Sequence, residues 1–276
     1  MTYRAKHDRR NGLLHFRASQ ALAGYARYFP SAALAAFVEH YWTVEWRLAE
    51  PTLRETLPYP SAHIVLEPGV SVLAGVTTRK FSRVLEGESR VFGVKFRPGG
   101  LRPFVTQPVS AFTDRMLDLA DVFGRAAAHL DARVLAHRDH HACIAVLEGF
   151  LLDRAPQRDP AADLAARVCE RIAADRGIRL VEDVLCETGL GPRKLQRLFS
   201  EYVGVAPKWV IRRYRLHDAA ERMTSATHME WAALAQELGY ADQAHFIRDF
   251  KRLIGQPPAE YFKHLVAGEA KSDSPC

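Results

Sequence analysis

The first half of the chain alternates short apolar stretches with turn signals. Residues 41–48, 63–66, 70–76, 77–85 and 89–96 are rich in Val, Thr, Phe and Trp. They are broken at Pro58, Pro60, Pro68-Gly69, Gly75 and Glu86-Gly87. Closely spaced strand-like runs with such breaks predict a small antiparallel sheet or barrel. Ahead of them, Ser31 is placed to cap a short helix with Leu34, Phe37 and Val38 on one face. Arg97-Pro98-Gly99-Gly100 closes the section, and helical periodicity follows over 117–136 and 140–153.

Residues 155–160 are polar, hold Pro156 and Pro160, and lack bulky apolar side chains, as a linker does. Beyond them, Asp163 is placed to cap a helix reaching 176, with Leu164, Val168, Ile172 and Ala173 on one face. Helical periodicity then continues, with short turns, to Val266. The expected organisation has four parts. They are a first domain at 1–155, a linker at 156–163, a helical domain at 164–266 and a frayed tail at 267–276. The fold class expected is an α+β domain, with a small antiparallel sheet or barrel plus helices, followed by an all-α domain.

Inside the helical half one pattern occurs twice. Gly189, Leu195, Arg197, Phe199, Gly204 and Pro207 are matched by Gly239, Phe246, Arg248, Phe250, Gly255 and Pro258. The offset is 50 residues at the first glycine and 51 from Leu195/Phe246 onward, so one loop is a residue longer. Each copy reads as a helix, a glycine turn and a second helix whose inward face is apolar. That is a helix-turn-helix, twice in one chain, and it supports a twofold DNA reader without dimerisation. In the first copy Leu195, Leu198, Phe199 and Tyr202 face inward, leaving Arg193, Lys194, Gln196 and Arg197 outside. In the second, Phe246, Phe250 and Leu253 face inward, leaving Gln243, Ala244, His245, Ile247 and Arg248. Arg and Gln carry the forks that match guanine and adenine edges in the major groove. Ala244 and His245 suit a thymine methyl or a phosphate. A single long helix from Pro207 to about Met223 would fix the spacing of the two units.

Composition adds direction rather than proof. The 276 residues carry a net charge of +6 and a pI of about 9.2. Seven basic residues fall between Arg193 and Arg215, with Glu201 alone opposing them. That concentration is the footprint expected of nucleic-acid binding. The cysteines, Cys143, Cys169, Cys186 and Cys276, are far apart, as in a reduced compartment. Residues 1–17 are polar and basic without a signal peptide's apolar core, and no run has the length of a membrane span. A cytoplasmic protein without membrane partners is expected.

These residues carry a family resemblance. Residues 165–265 resemble the DNA-binding domain of AraC/XylS-type transcription regulators. The resemblance lies in Val181-Glu182-Asp183-Val184-Leu185, Leu195-Gln196-Arg197-Leu198-Phe199, Arg212-Arg213-Tyr214-Arg215-Leu216, Leu238-Gly239-Tyr240, Gln243 through Lys251, and Gly255 through Tyr261. It implies seven helices, two helix-turn-helix units in adjacent major grooves, transcription regulation, and recruitment of RNA polymerase through the second unit. It places base and backbone contacts on Arg193, Gln196, Arg197, Gln243, Ala244, His245, Ile247 and Arg248. One departure is Gly191, which stands where a capping Ser is usual. The block Gly75-Val76-Thr77-Thr78-Arg79, with Val91 through Gly100, resembles an uncharacterised domain that accompanies such regulators.

In the N-terminal half, Tyr41, Trp42, His63, Glu67, Lys95 and Arg97 lie in or beside strand-like runs. If they converge, they suit a small anionic or polar effector. The alternative is core packing for Tyr41 and Trp42 and a solvated edge for Lys95 and Arg97. His129, His137, His140 and His141 cluster near Cys143, but spacing fixes no third metal ligand. No nucleophile elbow, phosphate loop or Rossmann glycine pattern is present, so neither an enzyme nor a cofactor is expected. The rival readings are a regulator whose N-terminal half only forms a homodimer, and an enzyme-linked DNA-binding module.

Overall fold

The computed structural model describes residues 23–226 and 228–270. The expectations for residues 1–17 and Cys276 lie outside that range. The N-terminal half is a six-stranded antiparallel sheet in the order β1-β2-β5-β3-β4-β6. Its strands are β1 (Ala23–Tyr28), β2 (Val38–Thr56), β3 (His63–Glu67), β4 (Val70–Ala74), β5 (Phe81–Phe96) and β6 (Met116–Asp118). The sheet is open, with β1 and β6 at its edges.

Register separates its two faces. Tyr28, Tyr41, Val94, Ile64, Leu73 and Leu117 pair successively across all six strands. They form one row that packs under α1 (Leu119–Phe123), α2 (Leu130–Leu135) and α3 (His140–Leu152). The row one residue along is Arg27, Trp42, Gly93, Val65 and Val72, on the opposite face.

Several local expectations are corrected. The two runs expected at 77–85 and 89–96 merge into the single strand Phe81–Phe96, with residues 77–80 outside it, because Gly87 takes φ +61° while β2 accommodates extra residues between Leu48 and Thr52. Pro51 falls in that irregular stretch, where no ladder N–H is needed. Ser31 caps no helix: residues 32–37 make turns, with Ser31 O accepting from Leu34 N at 3.0 Å. Leu34, Phe37 and Val38 are nevertheless buried. The helix expected over 117–136 is two helices, interrupted at Gly124 and at His129, which takes φ +56°.

The C-terminal half holds seven helices among the described residues, as the resemblance implies. They are α4 (Pro160–Ala174), α5 (Val181–Thr188), α6 (Pro192–Leu198), α7 (Pro207–Ser225), α8 (Trp231–Glu237), α9 (Gln243–Ile254) and α10 (Pro258–Ala270). The cap of α4 is Asp159, not Asp163: its carboxylate accepts from Ala161 N at 2.8 Å, with Pro160 opening the helix. The connection therefore ends at residue 159, four residues before the expected boundary. Helix α10 likewise enters the expected tail as far as Ala270, and residues 271–276 lie outside the description.

The two halves are interlocked. Val76 packs into the apolar cluster of α4–α6, and Leu57 packs into the cluster of α8–α10. Full burial of such a side chain is worth about 1.5–3 kcal/mol. Polar contacts reinforce these pegs. Arg102 Nε meets Glu201 Oε1 at 2.7 Å, and Thr113 Oγ1 donates to Gly204 O at 2.7 Å.

Candidate nucleic-acid interface and effector cavity

The duplicated pattern folds twice the same way. Helices α5 and α6 turn at Gly189, with φ +63°, and α8 and α9 turn at Gly239, with φ +71°. A side chain with a β-carbon is disfavoured at such angles, which explains glycine at both turns. Leu195 and Phe246 are fully buried at matching positions, as are Phe199 and Phe250. Gly204 and Gly255 end the second helical segments with φ +92° and +94°. The first segment finishes in a wider π-type turn, Phe199–Val203, whose Tyr202 hydroxyl donates to Asp159 at 2.6 Å.

Arg193, Lys194, Gln196 and Arg197 are all exposed on α6. None makes a hydrogen bond or ion pair among the described residues, so their donors are open to a partner. Gly191 supplies no side-chain cap to α6. On α9, Gln243, Ala244 and Arg248 are exposed, and Asp242 caps the helix by accepting from His245 N at 2.6 Å. His245 and Ile247 are half-buried. The His245 ring meets Tyr240 edge-on at 5.2 Å, and Ile247 packs against the local core. The two units are thus unequal: the first presents four open polar side chains, while on the second His245 and Ile247 are partly committed to packing.

Helix α7 spans the interval between the heads. Its Arg212 Nε holds Asp249 of α9 at 2.7 Å, and its Tyr214 packs with the cluster of α4–α6.

The second sheet face borders a cavity of about 910 Å³, closed on the other side by α4 and α7. Trp42, His63, Glu67, Lys95 and Arg97 all border it. Tyr41 does not. Strand neighbours point to opposite faces, and Tyr41 is fully buried under the helices, its hydroxyl donating to Glu148 at 3.2 Å.

Most of the charged groups there are already paired. Lys95 Nζ meets Glu39 at 2.9 Å and lies 4.2 Å from the Tyr59 ring centre. Burial works to raise the Glu39 carboxyl, but the hydrogen bond with His40 and the Lys95 charge outweigh it and hold it well below its usual range. Glu67 is chelated by Arg83, whose Nη2 donates at 2.6 Å. Arg97 bonds Ala35 O at 2.8 Å and Glu170 of α4 at 3.1 Å, so it is a strut between the halves. The His63 ring is pushed down to about 3 by burial and by the Lys95 and His40 charges.

Sequence reasoning missed Tyr25, Arg27, Arg213 and the α4 wall, which also border this space. Arg213 was legible: it lies three residues from both Val210 and Leu216, on the buried stripe of α7. Within the expected histidine cluster, His129 and His137 are exposed, while His140 is tied into the fold. His140 bridges the Tyr28 hydroxyl at 2.7 Å and Glu45 at 3.1 Å. Cys143, Cys169 and Cys186 are free thiols. Among the described residues, no helix is long and apolar enough to cross a membrane.

Helices α5–α6 and α8–α9 thus form two helix-turn-helix units, each with an exposed polar face. In agreement, residues 185–264 match a family model described as a helix-turn-helix domain. Residues 26–118, which span the sheet, match a domain of unknown function (DUF6597). Among characterised proteins, the HTH-type transcriptional regulator Rv1931c of Mycobacterium tuberculosis is 31% identical over 87 residues. That stretch is 32% of this chain and only 33% of the relative. Among solved structures, ToxT of Vibrio cholerae aligns over 80% of this chain and 97% of its own, at 13% identity and TM-score 0.39. The xylose-binding transcription activator XylR aligns over 45% of this chain and 37% of its own, at 21% identity and TM-score 0.29.

Proposed function

We propose that this chain is a sequence-specific DNA-binding transcription regulator whose N-terminal half senses a small molecule. The observation that carries the reading is the pair of duplicated heads, the first with Arg193, Lys194, Gln196 and Arg197 exposed and unpartnered. The matched domain and the name of the mycobacterial relative support it. Arg193 and Gln196 read base edges, while Lys194 and Arg197 hold phosphates. Gln243, Ala244, His245, Ile247 and Arg248 form a weaker second reader. The protein acts by binding rather than by catalysis, without a cofactor.

The effector site is the cavity between the sheet and α4/α7, where five of the six expected residues converge. A roomy cavity favours ligand control over a half that serves dimerisation alone. Contact with RNA polymerase and homodimer formation belong to the same proposal; reconstituted transcription and sedimentation test them. The direct test of DNA reading is site selection from random DNA followed by gel retardation. Arg193→Ala is expected to relax base preference in one half-site only. Loss of equal size on every sequence would restrict these side chains to phosphate contact, and no enriched site at all would remove the proposal.

A further inference from the structure

The sheet forms the cavity's floor. A β-carbon at Gly93 would lie 2.2 Å from Trp42 Cε2, so the indole lies directly across the glycine. Val65 and Val72 continue the same row of the sheet. Such a floor suits a planar apolar body, and about 910 Å³ is far more than a bare inorganic ion needs.

The charge around it is uneven. Nine Lys and Arg side chains border the space against seven Asp and Glu. Lys95, Arg83 and Arg97 are answered by Glu39, Glu67 and Glu170. Arg213 is not answered. It is 1% exposed, its Nε donates to Pro58 O at 2.7 Å, and its guanidinium lies 3.8 Å from the Tyr59 ring centre. Neither Nη nitrogen finds an acceptor. A buried guanidinium without a counter-ion is costly, and its fork is shaped for a carboxylate.

His63 adds a donor. Trp42 Nε1 can only donate, and it does so to His63 Nδ1 at 3.2 Å. In the neutral ring the proton is then on Nε2, and the ring borders the cavity.

We propose that this cavity binds an organic monoanion, with a planar apolar body on Trp42 and a carboxylate that pairs with Arg213. The inference rests on the effector reading above and supplies its ligand class. It also supplies a route to the DNA. Arg213 Nε already holds Pro58 O, so a carboxylate on its two free Nη nitrogens ties the ligand both to α7 and to the β2–β3 connection. The adjacent residues, Arg212 and Tyr214, hold α9 and the first head respectively.

The test uses the full chain and two probe pairs, 4-biphenylcarboxylate with its amide and indole-3-acetate with its amide. Calorimetry and tryptophan fluorescence report binding. At least one carboxylate is expected to bind tenfold or more tighter than its amide. Arg213→Gln is expected to abolish that preference and leave amide affinity within about twofold. Arg213→Lys keeps the charge without the fork and is expected to cut the preference at least threefold, which decides the matter if the glutamine variant does not fold. Equal affinity for acid and amide, a preference that survives both variants, or no carboxylate binding below millimolar concentration overturns the inference. Retardation of the selected DNA in the same samples separates the two readings. A chain that shifts DNA while failing these tests remains a regulator with another effector, or none.

Discussion

At the scale of single residues, the account depends on side chains left without partners. Arg193 and Gln196 stand exposed near the start of α6. Replacing either by Ala should weaken specific DNA binding by about 1–3 kcal/mol and relax the preference at one position, read by titrated gel retardation. His63 gives a pH signature. Its folded ring stays neutral down to about 3, whereas an unfolded histidine takes a proton near its ordinary value of 6.5. The unfolded state therefore binds more protons below pH 6.5, and stability falls as pH drops through that window. His40, also pushed down by burial, acts in the same direction. Urea midpoints at pH 7 and pH 5 should differ less in His63→Gln than in the parent chain; an unchanged difference would contradict a neutral His63. At this scale the sequence was half readable. Trp42, His63, Glu67, Lys95 and Arg97 do border one space, but Tyr41 was placed with Trp42 although strand neighbours cannot share a face. Arg213 belongs to the Arg212–Leu216 motif, and only its three-residue spacing to Val210 and Leu216 marks it as part of the buried stripe of α7.

At the scale of elements, caps make the clearest predictions. Gly191 starts α6 with extended backbone, φ −73° and ψ 155°, and nothing lies within 4 Å of a β-carbon there. Gly191→Ser should stabilise the protein by roughly 0.5–1 kcal/mol, through the added cap and a less flexible unfolded chain. Asp242→Ala removes the cap of α9 and should cost about 1 kcal/mol. Thermal unfolding checks both, and the opposite signs are the point of the pair. Helices were legible where apolar periodicity, proline and glycine agreed, as over α5–α9. They were misjudged where tertiary contacts decide. Residues 32–37 bury their apolar side chains from turns rather than a helix, with Glu148 accepting from Ser31 N at 2.7 Å. Strand β1 was not read, and β5 was split, because Gly87 looks like a terminator but serves an irregular pairing.

At the scale of the whole molecule, the N-terminal half inserts one apolar residue into the core of each head, Val76 into the first and Leu57 into the second. No local sequence pattern could show this, since Val76 and Leu57 join clusters whose other buried members begin only at Ala165 and Leu216. A fragment beginning at residue 156 retains the Asp159 cap and its bond to Tyr202, but loses both pegs. It should bind DNA more weakly than the full chain and unfold at a lower temperature, measured by retardation and calorimetry. The measurement that tests the central claim most directly is selection of sites from random DNA by the full chain, followed by footprinting. Two half-sites about one helical turn, or 10 base pairs, apart are predicted. The half-site blurred by Arg193→Ala should be the more sharply defined of the two. A single half-site, or no enriched sequence, would contradict a two-headed reader.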